Sequence, residues 1–217
     1  MQSAPKAILF DLDGTLLDTH DLLLECFRFA TRQVLNREIP ADVLMAKVGQ
    51  PLDVQMWDFT DDEATHDALC RAYRARTQER HDACVKSFPG GIAVLQALKA
   101  AGYPLGVVTS KRHIPAQHGL QLFDMAQYFD CLVGSDDCAA HKPDPEPVRL
   151  GAKLLGCNPQ ECVYVGDSPF DMQAGNGAGC FTIAALWGMF PEEVLRAQTP
   201  DAVCAHFEEI LEVVRQR

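Results

Sequence analysis

The chain predicts an α/β fold, a doubly wound parallel sheet with a helical cap inserted near its start, and three observations carry that expectation. A short apolar run, Lys6 to Phe10, ends abruptly in Asp11-Leu12-Asp13-Gly14-Thr15. Beyond Phe88 a helix-like segment, a glycine and a β-rich run recur in order, as a parallel sheet requires when helices return each strand to the same edge. Between Leu16 and Phe88, about seventy residues carry helical periodicity and almost no strand signal. The expected division is therefore a core of residues 1–16 and 88–217 and a cap of residues 17–87. An insert whose two ends return near the first strand can hinge over a site at that strand's end.

Taken in order, Lys6 to Phe10 is the first strand. Leu22 to Leu35 reads as the first cap helix, and Thr60-Asp61-Asp62-Glu63 as a capping box with Thr60 at the N-cap, opening a long helix toward His81. In the core, Ile92 to Ala101 is a helix closed by Gly102, followed by a strand from Pro104 to Thr109 and a short one from Cys131 to Gly134. Pro147 to Leu155 is a helix ended by Gly156, and Cys162 to Val165 a strand. Met172 to Ala178 and Gly179 lead into Phe181 to Leu186, and the chain closes with a strand at Ala202 to Cys204 and a helix from His206 to Arg215. In doubly wound sheets ligands gather outside the carboxyl ends of strands, so the residues after Phe10, Val108 and Val165 are expected to meet.

With 217 residues, 47% of them hydrophobic, the chain can bury a sizeable core. A formal net charge of −11 argues against a nucleic-acid surface, since phosphate backbones are held by clustered Lys and Arg. No run approaches the length of a membrane span, and the first strand begins too early to leave room for a signal peptide, so a cytoplasmic protein is expected. The nine cysteines form no Cys-x-x-Cys pair, which predicts reduced thiols rather than a zinc cage or a disulfide framework. Composition leaves the oligomeric state open.

The chemistry is concentrated at the strand ends. Asp11 and Asp13 lie two residues apart and can lean to one side, and Gly14 lets the chain turn sharply beside a ligand. One carboxylate can attack phosphorus while the other serves the leaving oxygen and then water, so the pair points to phosphoryl transfer on a small phosphorylated substrate. Thr109 and Ser110 end the second strand with hydroxyl and backbone donors suited to phosphate oxygens. Lys142 precedes Pro143, Pro145 and Pro147, which stiffen its loop, and its ammonium can offset charge on Asp11 and a phosphoryl group. Gly166-Asp167-Ser168-Pro169-Phe170-Asp171 adds two carboxylates beside a helix start. Asp11 and Asp167 as ligands, with Asp171 in support, suit Mg2+, a hard ion that prefers oxygen.

With Asp11-x-Asp13-Gly14-Thr15, Thr109, Lys142 and Gly166-Asp167-x-x-x-Asp171 in this order over nearly its full length, the chain resembles the haloacid dehalogenase superfamily in its phosphatase branch. The resemblance implies Asp11 as nucleophile and Asp13 as general acid and base and, through its main-chain carbonyl, as a metal ligand. It further implies Mg2+ held also by Asp167, with Asp171 supporting the metal, and Lys142 and Thr109 on the phosphoryl group. The insert resembles that family's α-helical cap of the first type. Within the family, Gly49-Gln50-Pro51-Leu52 and Lys142-Pro143-Asp144-Pro145-Glu146-Pro147 are similar to phosphoglycolate phosphatases and related pyrophosphatases, and Tyr73-Arg74 and His81-Asp82 lean toward the latter. Asp13 argues against dehalogenation, which needs no acid for its leaving group. The cap proper, short of its return to the core, offers only Lys47, which lies before Gly49 rather than after it and so argues against phosphonatases. β-Phosphoglucomutases carry a histidine where this chain has Leu23 and a basic residue where it has Leu52, so a phosphomutase is the alternative enzyme. A non-catalytic binding protein on the same fold would be expected to lose a motif residue, and none is lost.

In the cap, Arg71, Arg74, Arg76 and Arg80 recur on one helix. Arg74, Lys47 and Lys111, with Gly49, are the candidates for contacting a second anionic group of the substrate, arginine being suited to two oxygens at once. Trp57 and Phe59 are expected to pack in the cap core, His20 and His113 to lie near the hinge and the second motif, and Trp187-Gly188 to border the site.

Overall fold

The computed structural model describes residues 5–217. Ala7–Phe10 (β1) is fully buried and lies at the centre of a six-stranded sheet. Its partners are Leu105–Val108 (β4) and Cys162–Gly166 (β6), and Cys131–Val133 (β5), Phe181–Ala185 (β7) and Ala202–Cys204 (β8) complete the order β5-β4-β1-β6-β7-β8, every pairing parallel. Strand order reverses at β1, so the crevice outside its carboxyl end is where such a sheet receives a ligand.

Side-chain alternation along β1 divides the core. Ile8 and Phe10 join the large cluster with Val107, Val165 and Ile183, whereas Ala7 and Leu9 join Val108, Tyr164, Val148 and Ala174 on the other face. Gly91–Ala100 (α5) and Glu209–Arg215 (α10) cover the first face; Glu146–Leu154 (α7) and Pro169–Ala178 (α8) cover the second. His113–Leu122 (α6) follows β4, and the short Glu192–Arg196 (α9) packs beside α8.

The insert comprises His20–Leu35 (α1), Ala41–Met45 (α2), Leu52–Met56 (α3) and Glu63–Cys84 (α4). It leaves and rejoins the core through a two-stranded antiparallel ribbon, Leu17–Asp18 (β2) against Lys86–Ser87 (β3). Helices α1 and α4 pack lengthwise, with the Phe27 and Tyr73 rings edge to face at 4.9 Å, and Phe59 closes on Phe27. α4 starts later than the spacing suggests. Asp62, not Thr60, is the N-cap and accepts a hydrogen bond from Thr65 N at 2.8 Å. The Thr60 hydroxyl instead accepts from Asp62 N at 3.1 Å, so two turn-forming side chains act in series and the nearer one stops the helix.

Other boundaries move by a few residues: α8 begins at Pro169 rather than at Met172 because the Ser168 side chain caps an earlier first turn, and the last helix begins at Glu209 rather than His206. Helix α6 and the β2–β3 ribbon have no counterpart in the sequence reading. Pro115 and Gly119 inside α6 blur its periodicity, and two-residue strands carry none. The cysteines are free thiols. Among the described residues no helix is long and apolar enough to cross a membrane.

Candidate active site

The loop after β1 is held by its own backbone. Asp11 N extends the ladder to Val165 O at 2.9 Å, the amides of Thr15, Leu16 and Leu17 converge on Leu12 O, and Gly14 N returns to Leu17 O. Gly14 adopts φ +85, and a Cβ there would stand 2.2 Å from Asp167 Oδ2, so only glycine permits the turn and the close approach together. From the same loop Thr15 donates its hydroxyl to Asp167 Oδ1 at 2.8 Å, and Met189 N donates to Oδ2 at 2.8 Å. Trp187 Nε1 holds Thr15 O at 3.0 Å, while Gly188 lies so close to Asp167 that a Cβ would meet that residue's Cβ at 2.2 Å. This places the Trp187-Gly188 segment behind Asp167.

Asp171 is fully buried and reciprocally capped by Ser168, and its Oδ1 receives Lys142 Nζ at 2.6 Å and Tyr164 OH at 3.0 Å. Lys142 also lies 2.8 Å from Asp11 Oδ1, though off a hydrogen-bond direction, so among the described residues that buried oxygen has no hydrogen-bond donor. Burial alone would depress the Lys142 ammonium, but Asp11 and Asp171 outweigh it, raise its pKa and keep it charged.

Carboxylate oxygens of Asp11, Asp167 and Asp171 lie within 4.8 Å of one another, all buried, with one ammonium among them. Burial first, then Asp171, push Asp11 from 3.8 up to about 7 against the pull of Lys142. Asp167 is driven well above the ordinary carboxylate range by burial, Asp171 and Asp11 in that order. Three buried acidic groups with hard oxygen ligands and a single ammonium among them fit a divalent ion such as Mg2+, whose charge would relieve both the desolvation and the mutual repulsion.

A cavity of about 680 Å³ opens above this cluster, floored by Asp11, Asp13, Thr109, Ser110 and Lys111 and roofed by the insert. Asp13 accepts from Lys111 Nζ at 2.6 Å, so Lys111, expected on the substrate, is paired with Asp13. Ser110 Oγ donates to Gly49 O at 2.6 Å, tying floor to roof, and Gly49 sits against Ser168 at φ +106. Arg74 reaches the cavity wall, where one nitrogen donates to both oxygens of Asp53 at 2.7 Å. Lys47 is a correction to the sequence expectation: it pairs with Asp58 at 2.6 Å, half-exposed, and does not line the cavity. Arg76 and Arg80 are spent on Glu25. Trp57 stacks on His66 at 4.1 Å rather than entering the cap core, and His20 and His113 pair with Asp21 and Asp137.

The sequence reading missed Tyr164, an interior strand residue among apolar neighbours whose partner lies on the following helix. Burial pushes its hydroxyl well above the ordinary value, so it remains a donor to Asp171. Gln55 and His118 on the cavity wall were also missed, because only packing of the insert against the core brings them there.

A profile of the haloacid dehalogenase-like hydrolases matches residues 8–185. Pyrophosphatase PpaX of Bacillus velezensis is 35% identical over 207 residues, covering 95% of each chain. The pyrophosphatase PpaX of Anoxybacillus flavithermus is 32% identical over 209 residues, 96% of each. Among solved structures, a predicted phosphoglycolate phosphatase from Haemophilus somnus superposes with a TM-score of 0.89 at 26% identity, covering 98% of this chain and 99% of its own. The chain belongs to the haloacid dehalogenase-like hydrolase family. It is an enzyme of that family's phosphatase class.

Proposed function

We propose that the enzyme is a Mg2+-dependent phosphatase acting through an aspartyl-phosphate on Asp11, with pyrophosphate or a small phosphomonoester such as phosphoglycolate as substrate. The observation that carries this reading is the buried Asp11 carboxylate, which lines the cavity beside Asp13 and is paired with the Lys142 ammonium at 2.8 Å. Asp11 attacks phosphorus in line, the phosphorus–oxygen bond to the leaving group breaks, and Asp13 gives its proton to the departing oxygen. Asp13 then takes a proton from water as that water attacks phosphorus, which frees phosphate and restores Asp11. Lys111 orients Asp13 for both transfers. Thr109, Ser110 and Lys142 meet the equatorial oxygens, where stabilising charge contributes most. Mg2+, held by Asp11, Asp167 and the Asp13 main chain with Asp171 in support, would supply a counter-charge to the phosphoryl group.

The names of the relatives support pyrophosphate, and those of the structural neighbours support phosphoglycolate. Leu23 and Leu52 present apolar wall where the related mutases are polar, which supports transfer to water over transfer to a second sugar hydroxyl. The proposal includes residues 17–87 as a cap over a core of 1–16 and 88–217, in a cytoplasmic enzyme. The test is phosphate release with Mg2+ from pyrophosphate, phosphoglycolate, sugar phosphates and nucleotides. One substrate preferred by about a hundredfold, or about 2.7 kcal/mol of differential transition-state binding, is expected. A flat profile across the panel would remove the assigned substrates.

A further inference from the structure

Where α4 approaches its end, His81 and Asp82 of the insert face His118 on core helix α6. His81 Nδ1 lies 2.8 Å from Asp82 Oδ1, and His118 Nε2 lies 2.7 Å from the same oxygen. One ligand atom from each of the three falls within 4.8 Å of the other two, and the imidazole centroids are 5.1 Å apart. From this juxtaposition the geometry points to a second metal site, made of His81, Asp82 and His118, that takes a borderline divalent ion of the Zn2+ class and fastens the insert to the core.

The donor set decides the ion. Two imidazoles and one carboxylate are too rich in nitrogen for Mg2+ and match the three-ligand, open-position sites of Zn2+. Asp11, Asp167 and Asp171 offer only oxygen, so the two clusters divide hard from borderline ions.

Two further observations make the trio more than an incidental hydrogen-bonded cluster. His81 is 5% exposed, and its Nε2 has no hydrogen-bond partner among the described residues. Without an ion the Asp82 carboxylate accepts a hydrogen bond from Nδ1; because Nε2 carries no bond that opposes moving that proton to it, an ion can replace the proton on Nδ1. Asp82 and His118, by contrast, are 59% and 53% exposed, which gives an ion a path in and leaves room for water in the remaining position. All three also line the cavity. Because α4 ends at Cys84, immediately before the ribbon that joins insert and core, a bond between its last turn and α6 spans the point about which the insert would hinge.

Co2+ is the probe, added to the full chain with Mg2+ in saturating excess so that the all-oxygen cluster is occupied. One equivalent of Co2+ is expected to give the intense visible absorption of a four-coordinate nitrogen and oxygen site, and Zn2+ to displace it. His118→Ala, at a half-exposed position, is expected to keep the far-ultraviolet circular dichroism and metal-free melting temperature while binding Co2+ about tenfold or more weakly. Asp82→Asn is expected to weaken binding likewise, and Zn2+ to raise the melting temperature of the parent but of neither variant. Equal Co2+ affinity in parent and His118→Ala overturns the site. Weak six-coordinate absorption alone also overturns it. So does a near-ultraviolet thiolate band, which would move the ion to Asp53, His66 and Cys70, the other nitrogen-containing cluster among the described residues.

Discussion

At and beneath the floor of the cavity Asp11, Asp167 and Asp171 are 3%, 1% and 0% exposed. At its roof the Arg74 and Asp53 side chains are 42% and 57% exposed. The floor groups are fixed by partners that solvent cannot replace: Thr15 and Met189 on Asp167, Ser168, Tyr164 and Lys142 on Asp171. The roof pair holds itself together in water, where an exposed ion pair contributes only about 0–1 kcal/mol. A substrate anion can therefore take Arg74 from Asp53 at little cost, whereas nothing small can rearrange the floor. In the proposed function the chemistry resides where geometry is over-determined, and the choice of substrate where partners exchange.

Substitutions should separate the two regions, beginning at the floor. Asp11→Asn is expected to lower kcat by about a thousandfold or more, over 4 kcal/mol, with unchanged circular dichroism. Turnover near that of the parent would remove the nucleophile. Gly14→Ala should next cost about 2–4 kcal/mol in urea unfolding, since it meets both a left-handed φ and the Asp167 carboxylate. A loss within the error of the titration would show that the loop is looser than its contacts imply.

Metal and pH sharpen the contrast further. Asp11 binds its proton more tightly in the folded chain, at about 7 against an ordinary 3.8, so without added metal its contribution to stability is complete below the lower value and is lost as pH rises through the upper one. Asp167 is shifted in the same direction. Added Mg2+ should therefore raise the melting temperature more at about pH 7.5 than at about pH 5. An equal shift at both would place the ion away from these carboxylates.

At the roof the effects are smaller. Arg74→Ala is expected to raise KM for a doubly anionic substrate about tenfold while kcat stays within about twofold, as loss of uniform binding predicts. A fall in kcat with KM unchanged would make Arg74 part of the transition state. Lys47→Ala, outside the cavity on Asp58, should leave both constants within about twofold, and a larger change would return Lys47 to the site.

The floor was legible in the sequence because its residues follow strands whose apolar runs are unmistakable. Asp11, Thr109 and Asp167 each lie one residue past a buried stretch, and the parallel order of β4, β1 and β6 brings those ends together. Lys142 was legible from the prolines that follow it. The roof was not. Lys47 and Arg74 both read as candidates for a second anionic group of the substrate, and only the packing of the insert turned Arg74 to the cavity wall and Lys47 toward Asp58. Tyr164 escaped notice for a related reason, since a tyrosine in a β-run reads as core until the helix carrying Asp171 folds across it.

The sequence by itself determined the sheet, the order of its strands' chemical termini, the helical insert and the carboxylate pair, because hydrophobic periodicity and turn chemistry act over a few residues and survive without long-range contacts. Only the tertiary structure decided which charges meet. Lys111 was assigned to Asp13, Arg74 to Asp53, Arg76 and Arg80 to Glu25, and His118 to Asp82 by packing between segments up to 98 residues apart. Side-chain ion pairs carry no spacing rule across such distances, so their partners are set by where the buried faces force the backbone to run.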